Sequence, residues 1–534
     1  MLYNSTTLIT LILSKMKKTI PFYLINSLLF TSLIGLSACS NQPLRKASDL
    51  KVTAKVIQTD TKESLPAEEL QSFSQDELRL QIKLTAEMQD WTTYIQLSNH
   101  LWQQSDDDDS QAEIEQDVWN RLKYVDSATI DAIRQHHDPS VQAWATLLSI
   151  LNGPAQKIEA SLQNLSAHRT ENNDKIAIYQ NHLLPELQQK LSGVAAVKQI
   201  AVLLPFQGKY EQVSKQIQNG MLKAFLASDQ SITLKFYDSF QLDQVESVYH
   251  QAKREGADFV IGPLRKEALE QLVHLDDPNI LALNKIEAAA FYQFSFKSAD
   301  EISQMIALFN KHNYRHIGIL SNDGRMESSK AQALQEAWQE EPQRSATLSI
   351  YPDENPKLRD ALEKLINAQT SQARYNNLRW SIGQSLSFFP RMRQDFDAIV
   401  ILDNRSRIAV FKPQFAFFEL KVPVYGSTQL SPKNLQDNRP YVDLKGVKFL
   451  TYPASLNPDE LNTPFEAYGW DSFQLVSQMN KMRVGAILDN GKTGLLSLNE
   501  HEFLQKLVWA QYNNDGLIES MPPTDQTGLF LNQK

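Results

Sequence analysis

Near residue 196 the chain changes the period of its hydrophobic pattern, and this change restricts its architecture more than any other feature. Upstream, over residues 72–192, apolar residues recur at three- and four-residue steps with turn signals between segments. Downstream, short apolar runs alternate with amphipathic stretches. The run 198–205 (KQIAVLLP) ends in Pro205-Phe206-Gln207-Gly208 and precedes a helical pattern with Val213, Ile217, Met221 and Phe225 on one face. Residues 232–237, 257–261 and 280–283 read as further strands, with helices over 245–254 and 266–275 between them. A second series follows at 317–320, 348–351, 398–402 and 422–425. Strands buried on both faces and separated by helices predict parallel, doubly wound sheets. Two such series predict two lobes facing each other across a cleft.

The upstream half is predicted to be all helix. Met88, Trp91, Ile95 and Trp102 continue one periodic face, and Ile114, Val118, Leu122 and Val125 form another after the acidic run 106–109, whose charge suits a helix N-terminus. Further helices are expected over 141–151, opened by Asp138-Pro139-Ser140, and over 157–165 and 176–191. Paired short helices with Trp91, Tyr94, Trp102, Trp119, Tyr124 and Trp144 predict a tetratricopeptide-like stack over 67–195, although no regular repeat of about 34 residues can be aligned. Core packing is the default role of those aromatics.

Cys39 is the only cysteine of the chain. It follows Leu36-Ser37-Ala38 and an apolar run over 20–35, itself preceded by Lys15, Lys17 and Lys18. Positive, apolar and small-residue segments in that order make a secretory signal over 1–38. A cysteine at the cleavage point matches the lipobox of bacterial lipoproteins, whose sulfur is acylated. Met16-Lys17-Lys18-Thr19 reads as a natural start, so residues 1–15 are expected to be a mis-assigned extension. Ser40 stands where the inner-membrane retention pattern has aspartate, which favours the outer membrane. Residues 39–66 are polar and read as a tether. Loss of the three lysines takes the net charge from -9 to -12, since residues 1–38 hold no other charged side chain. That sign opposes nucleic acid as a partner.

Ligands of open α/β sheets gather at the carboxyl ends of the strands. The expected cleft residues are therefore Phe206, Gln207, Gly208, Gly262, Pro263, Asn284, Ser321, Asn322, Asp403 and Asn404, all of types that also simply make turns. No hydrolase, metalloprotease or phosphate-loop motif occurs. His136-His137-Asp138 beside Pro139 reads as a solvated turn, and the acidic run 106–109 lacks the spacing of a calcium loop. No catalytic residue, metal or cofactor is expected.

Seven segments in order, KQIAVLLPFQGKY (198–210), GADFVIGPLRKEALEQL (256–272), ILALNK (280–285), DAIVILDNRSRIAVFKPQ (397–414), AYGWDSFQL (467–475), NGKTGLLSL (490–498) and LVWAQY (507–512), carry a family resemblance. Together they resemble the LpoA family, outer-membrane lipoproteins that activate a class A penicillin-binding protein. The resemblance implies a two-lobed α/β module similar to type I periplasmic binding proteins, with lobe 1 over about 196–297 and 453–487 and lobe 2 over about 298–452 and 488–534. It implies a class A synthase as partner, outer-membrane anchorage through Cys39, docking by the α/β module, and no chemistry by the chain itself. Residues 374–393 depart from the pattern as a loop or extra helix. Arg325, Trp380, Phe388 and Arg391 are candidate anchors for the partner. The competing readings are a solute-binding lipoprotein of a transporter, with an unknown cleft ligand, or a periplasmic hydrolase.

Overall fold

The computed structural model describes residues 73–522, except 126, 168–177, 193–196, 229–230, 288–289, 297–299, 385–386 and 389–391. The signal, Cys39 and the tether lie outside the described residues. Among the described residues, no helix is long and apolar enough to cross a membrane.

Among the described residues, the first part is helical, without strands. Its helices span Gln75–Met88, Trp91–Gln104, Asp108–Leu122, Ser127–Arg134, Pro139–Asn152, Ile158–Ala167 and Leu183–Leu191. Ser74, Asp90, Asp107 and Asp138 cap four of them, each accepting from a backbone N–H of the first turn. Asp107 thus gives the acidic run a capping role. The turn at His136 forms as expected but is not solvated there: His136 is buried, and its Nδ1 accepts from the N–H of Asp138 at 3.1 Å. The helix expected over 176–191 begins only at Leu183, because Pro185 has no N–H to donate and fits only the first turn. Tyr94, Trp102, Trp119 and Trp144 are buried in one core. Glu115, fully buried, ties distant helices together: it accepts from Trp102 Nε1 at 3.2 Å and from the N–H groups of His182 and Leu183 at 3.0 and 2.8 Å.

The second part is two seven-stranded sheets. The first contains β1 (Gln199–Leu204), β2 (Thr233–Asp238), β3 (Phe259–Ile261), β4 (Ile280–Ala282) and β5 (Tyr292–Gln293). The second contains β6 (His316–Asn322), β7 (Ser345–Tyr351), β8 (Ala398–Leu402), β9 (Val424–Gly426) and β10 (Val447–Thr451). Each sheet places its first strand between its second and third, β2-β1-β3-β4-β5 and β7-β6-β8-β9-β10, all parallel. This is the doubly wound order whose ligand-binding crevice lies beyond the carboxyl ends of the strands.

Antiparallel additions finish both sheets. β11 (Leu495–Asn499) and β12 (Glu502–Lys506) form a hairpin that joins the first sheet beside β5. β13 (Val508–Tyr512) pairs with β10, and β14 (Ile518–Ser520) with β13, in the second. This corrects the expected lobe boundary: residues 495–506 belong to the first lobe, not the second. The chain returns to the second lobe at Leu507 alone, whose N–H donates to Gln304 Oε1 at 3.1 Å. One residue between two strands leaves no compositional trace, which is why the crossing is invisible in the sequence.

Each sheet is covered on both faces. Ile200, Val202 and Ile261 meet Ile217, Met221 and Phe473 on one side of the first, while Leu203 and Val260 meet Val245 and Leu269 on the other. The second sheet is enclosed likewise, with Trp338 and Trp509 on one face and Phe411 and Phe415 on the opposite one. The helical part seats on the first lobe. Val484 and Ala486 enter its core, Gly485 adopts φ +80° against the Trp119 ring, and Lys481 Nζ donates to the Asn152 carbonyl at 3.3 Å.

Candidate functional site

In the first lobe two of the expected cleft residues, Phe206 and Gln207, meet Asp238, the last residue of β2. Its Oδ1 accepts from the N–H groups of Phe206 and Phe240 at 3.1 and 3.0 Å, and its Oδ2 accepts from Gln207 Nε2 at 2.8 Å. Gly208 has φ +64°, and a Cβ there would stand 3.0 Å from the Phe240 ring. Arg265 closes the same turn. It donates to the carbonyls of Ser239, at 2.8 Å, and Phe240, and its guanidinium lies 5.6 Å from the Phe240 ring centre. Gly262 has φ +101° and a cis bond to Pro263; a Cβ there would meet the Leu203 carbonyl oxygen at 2.3 Å. Asn284 Nδ2 donates to the Leu264 carbonyl at 3.1 Å.

In the second lobe β6 and β8 are neighbours, so Ser321-Asn322 and Asp403-Asn404 share one end of the sheet. Asp403 is buried. Its Oδ2 accepts from the Tyr351 hydroxyl at 2.7 Å and from Arg407 Nη1 at 3.0 Å, and its Oδ1 accepts from the Asn404 N–H at 2.6 Å. Burial, and then the Asp403 charge, push the Tyr351 phenol above its ordinary range and keep it a neutral donor. Arg407 also reaches Asp353. Asn404 caps the helix Arg405–Phe411, accepting from the Arg407 N–H at 3.1 Å. Asn322 Oδ1 accepts from the Gly324 N–H at 2.8 Å, and Ser321 Oγ donates to the Asn322 carbonyl at 2.9 Å.

The structure therefore brings these residues to the two sheet ends where the topology puts them, and it engages their polar groups in turns and caps. Ser321 donates to a backbone carbonyl and not to a base, so it lacks the partner of an activated nucleophile. Among the described residues, no group of three or more His, Cys, Asp or Glu side chains is placed to hold a metal ion. Asp238, Arg265, Tyr351, Asp353 and Arg407 escape the sequence reading. Arg265 lies in GPLRKEALEQL and Arg407 in DAIVILDNRSRIAVFKPQ, yet each acquires its role only through partners distant in the chain.

The second lobe carries one further element. Between β7 and β8 the chain makes an excursion over residues 367–392, pinched at its base where the Arg393 N–H donates to the Ile366 carbonyl at 2.8 Å. In the first lobe the corresponding link, β2 to β3, spans only 239–258. The excursion contains the helix Ala368–Ile382, of which Ala368 alone is buried. Trp380 is 90% exposed, and Leu378 and Ile382 are exposed as well. Phe388 stacks on Tyr375, with ring centres 4.3 Å apart. Arg325 is the exposed first residue of the helix Arg325–Gln339, and Arg391 lies outside the described residues. A cavity of about 1150 Å³, lined by Lys412, Phe415, Leu420, Val422 and Lys445, precedes β9 and β10 in the chain and so sits at the amino ends of the strands, away from the expected cleft.

A helical part seated on the first of two interleaved, doubly wound lobes defines a two-lobed α/β protein with an added helical part. The chain belongs to the LppC lipoprotein family: the family model described as "LppC putative lipoprotein" matches residues 45–515. Curated relatives named penicillin-binding protein activator LpoA include one from Photobacterium profundum, 25% identical over 437 residues, covering 75% of this chain and 70% of that protein. Another, from Aliivibrio fischeri, is 23% identical over 450 residues, covering 76% of this chain and 72% of that protein. The crystal structure of full-length LpoA from Haemophilus influenzae superposes with a TM-score of 0.52 at 18% identity, covering 85% of this chain and 83% of that one, and so shares the fold.

Proposed function

We propose that this chain is an outer-membrane lipoprotein, acylated at Cys39, that binds a class A penicillin-binding protein and stimulates its synthesis of peptidoglycan. The observation that carries this reading is membership of the LppC family together with relatives named as activators along three quarters of the chain. The helical part acts as a tetratricopeptide-like spacer, and the two lobes form a module of the type I periplasmic-binding-protein kind, adapted to a protein partner. The engagement of the strand-end polar groups in turns fits a module that does no chemistry of its own.

Activation then means binding the active conformation of the synthase better than its resting one, because a ligand shifts an equilibrium only by its differential affinity. The test is to measure glycan polymerisation and peptide crosslinking by the organism's class A synthases with and without the full chain in detergent. Stimulation is expected with one of them, and no change in sacculi exposed to the chain alone. Failure to bind or stimulate any class A synthase sinks the reading. Thermal stabilisation by a small molecule in place of synthase binding would favour the solute-binding alternative.

A further inference from the structure

We infer that the helix Ala368–Ile382 is the element through which the second lobe docks into an acidic groove on its protein partner. This rests on the reading that the chain regulates another protein.

The helix adds little to the lobe that carries it. A helix buried only at its first residue gains almost nothing from tertiary packing, which normally supplies most of a helix's stability. It nevertheless displays Leu378, Trp380 and Ile382 to solvent. Tryptophan and arginine are among the residue types that dominate the energetics of protein interfaces, and here Trp380, Arg374 and Arg379 stand exposed on one helix.

Charge points to the chemistry of the partner. From residue 366 to residue 394 the sequence contains Arg374, Arg379, Arg391 and Arg393 and no aspartate or glutamate, in a chain whose net charge is -9. Arg393 is committed at the base of the excursion, to Asp395 at 2.9 Å and to Thr347 at 2.8 Å. Arg374 and Arg379 pair with no carboxylate among the described residues. Two unneutralised guanidinium groups beside exposed apolar side chains complement a surface rich in carboxylates, which arginine binds through two parallel hydrogen bonds.

Geometry separates a protein groove from a membrane. Arg374, Tyr375, Leu378, Arg379 and Ile382 fall at the three- and four-residue spacings of one side of a helix. Trp380, two residues from Leu378, lies about 200° around the axis on the other side. An interfacial helix needs one continuous apolar face to lie on lipid, and this helix divides its apolar groups between two sides. A groove that wraps a helix can use both.

The test compares the full chain in detergent with Trp380→Ala and with the double variant Arg374→Glu/Arg379→Glu, and uses Val410→Ala, an exposed position elsewhere on the lobe, as control. The unmodified chain is expected to bind the synthase, and more weakly as salt is raised. Trp380→Ala should weaken binding about tenfold or more, and the charge reversal further, with its salt dependence flattened. Melting curves and far-ultraviolet circular dichroism should stay unchanged, since these side chains are exposed. Variants that bind and stimulate like the unmodified chain overturn the assignment and leave the regulator reading standing. Lost affinity for anionic vesicles or sacculi with synthase binding intact also overturns it. If the unmodified chain itself fails to bind, the regulator reading falls first.

Discussion

Gly220 and Gly469 form a reciprocal contact in which two helices of the first lobe touch backbone to backbone. A Cβ on Gly469 would stand 2.0 Å from the Ile217 carbonyl oxygen, and one on Gly220 would stand 1.8 Å from that of Glu466. The helix Glu211–Leu226 follows the first strand of this lobe, whereas Pro464–Ser477 arrives after the chain has built most of the second. The contact therefore binds the beginning of the lobe to its late return. Either glycine changed to alanine forces the helices apart in a closed core. Gly469→Ala should lower the stability of the lobe by about 3 kcal/mol, read as a lower urea midpoint, because overpacking is not relieved by a rotamer change when backbone is the obstacle.

Asp471, on the same returning helix, gives that joint a pH dependence. Its carboxylate is fully buried and accepts from the N–H of Lys492 at 2.8 Å and from the N–H and Oγ1 of Thr493 at 2.7 and 2.6 Å. Burial raises its pKa to about 6, against the opposing pull of these donors. The folded state thus holds the proton more tightly than the unfolded one, where the value is about 3.9. This contribution to stability is present below about pH 4 and is lost as pH rises through about 6, by about 3 kcal/mol in all. Asp471→Asn should flatten that part of the stability profile between pH 4 and 7. It should also lower stability at pH 7, because the new amide turns one acceptor into a donor facing a donor. Urea unfolding across this pH range measures both.

The parts of the fold that were legible are those with a strong periodic signature. β1, β3, β6 and β8 are continuous apolar runs buried on both faces, and such runs identify parallel strands without a partner in view. β5, two residues long, and the crossing at Leu507 have no such signature, so nothing in the sequence marks the hairpin 495–506 as part of the first lobe. The expected cleft residues lie at the sheet ends because turn chemistry sits where strands stop. Their partners could not be read, since Tyr351, Asp403 and Arg407 meet only once β7 and β8 are set on either side of β6. Trp380 stands among polar neighbours in the sequence, yet burial is the usual fate of tryptophan, and only the fold reveals its exposure.

The network around Asp403 predicts a loss that a second substitution repairs. Arg407 is the only cation donating to this buried carboxylate among the described residues. Arg407→Ala leaves the charge facing only neutral donors, the Tyr351 hydroxyl and the side-chain and backbone N–H groups of Asn404, and should cost about 3 kcal/mol. Asp403→Asn in the same chain removes the stranded charge and should restore part of that loss, because a buried pair is worth less than the penalty for breaking it. Urea midpoints of the two single variants and the double variant give the coupling. Purely additive losses would mean that Arg407 acts through Asp353 instead.

In the proposed lipoprotein, Cys39 determines where the activity takes place rather than whether it exists. One acyl chain holds a protein on a bilayer only marginally, at about 0.8 kcal/mol for each buried CH₂, and several chains hold it firmly. Cys39→Ala removes the acceptor of those chains and changes one small side chain only. The purified variant should stimulate the synthase as well as the unmodified protein does. In cells it should leave the outer-membrane fraction and fail to support wall synthesis. Fractionation and a crosslinking assay on the same preparations separate these outcomes. Activity lost in the purified protein as well would mean that the thiol contributes to the partner interaction directly, which anchoring does not require.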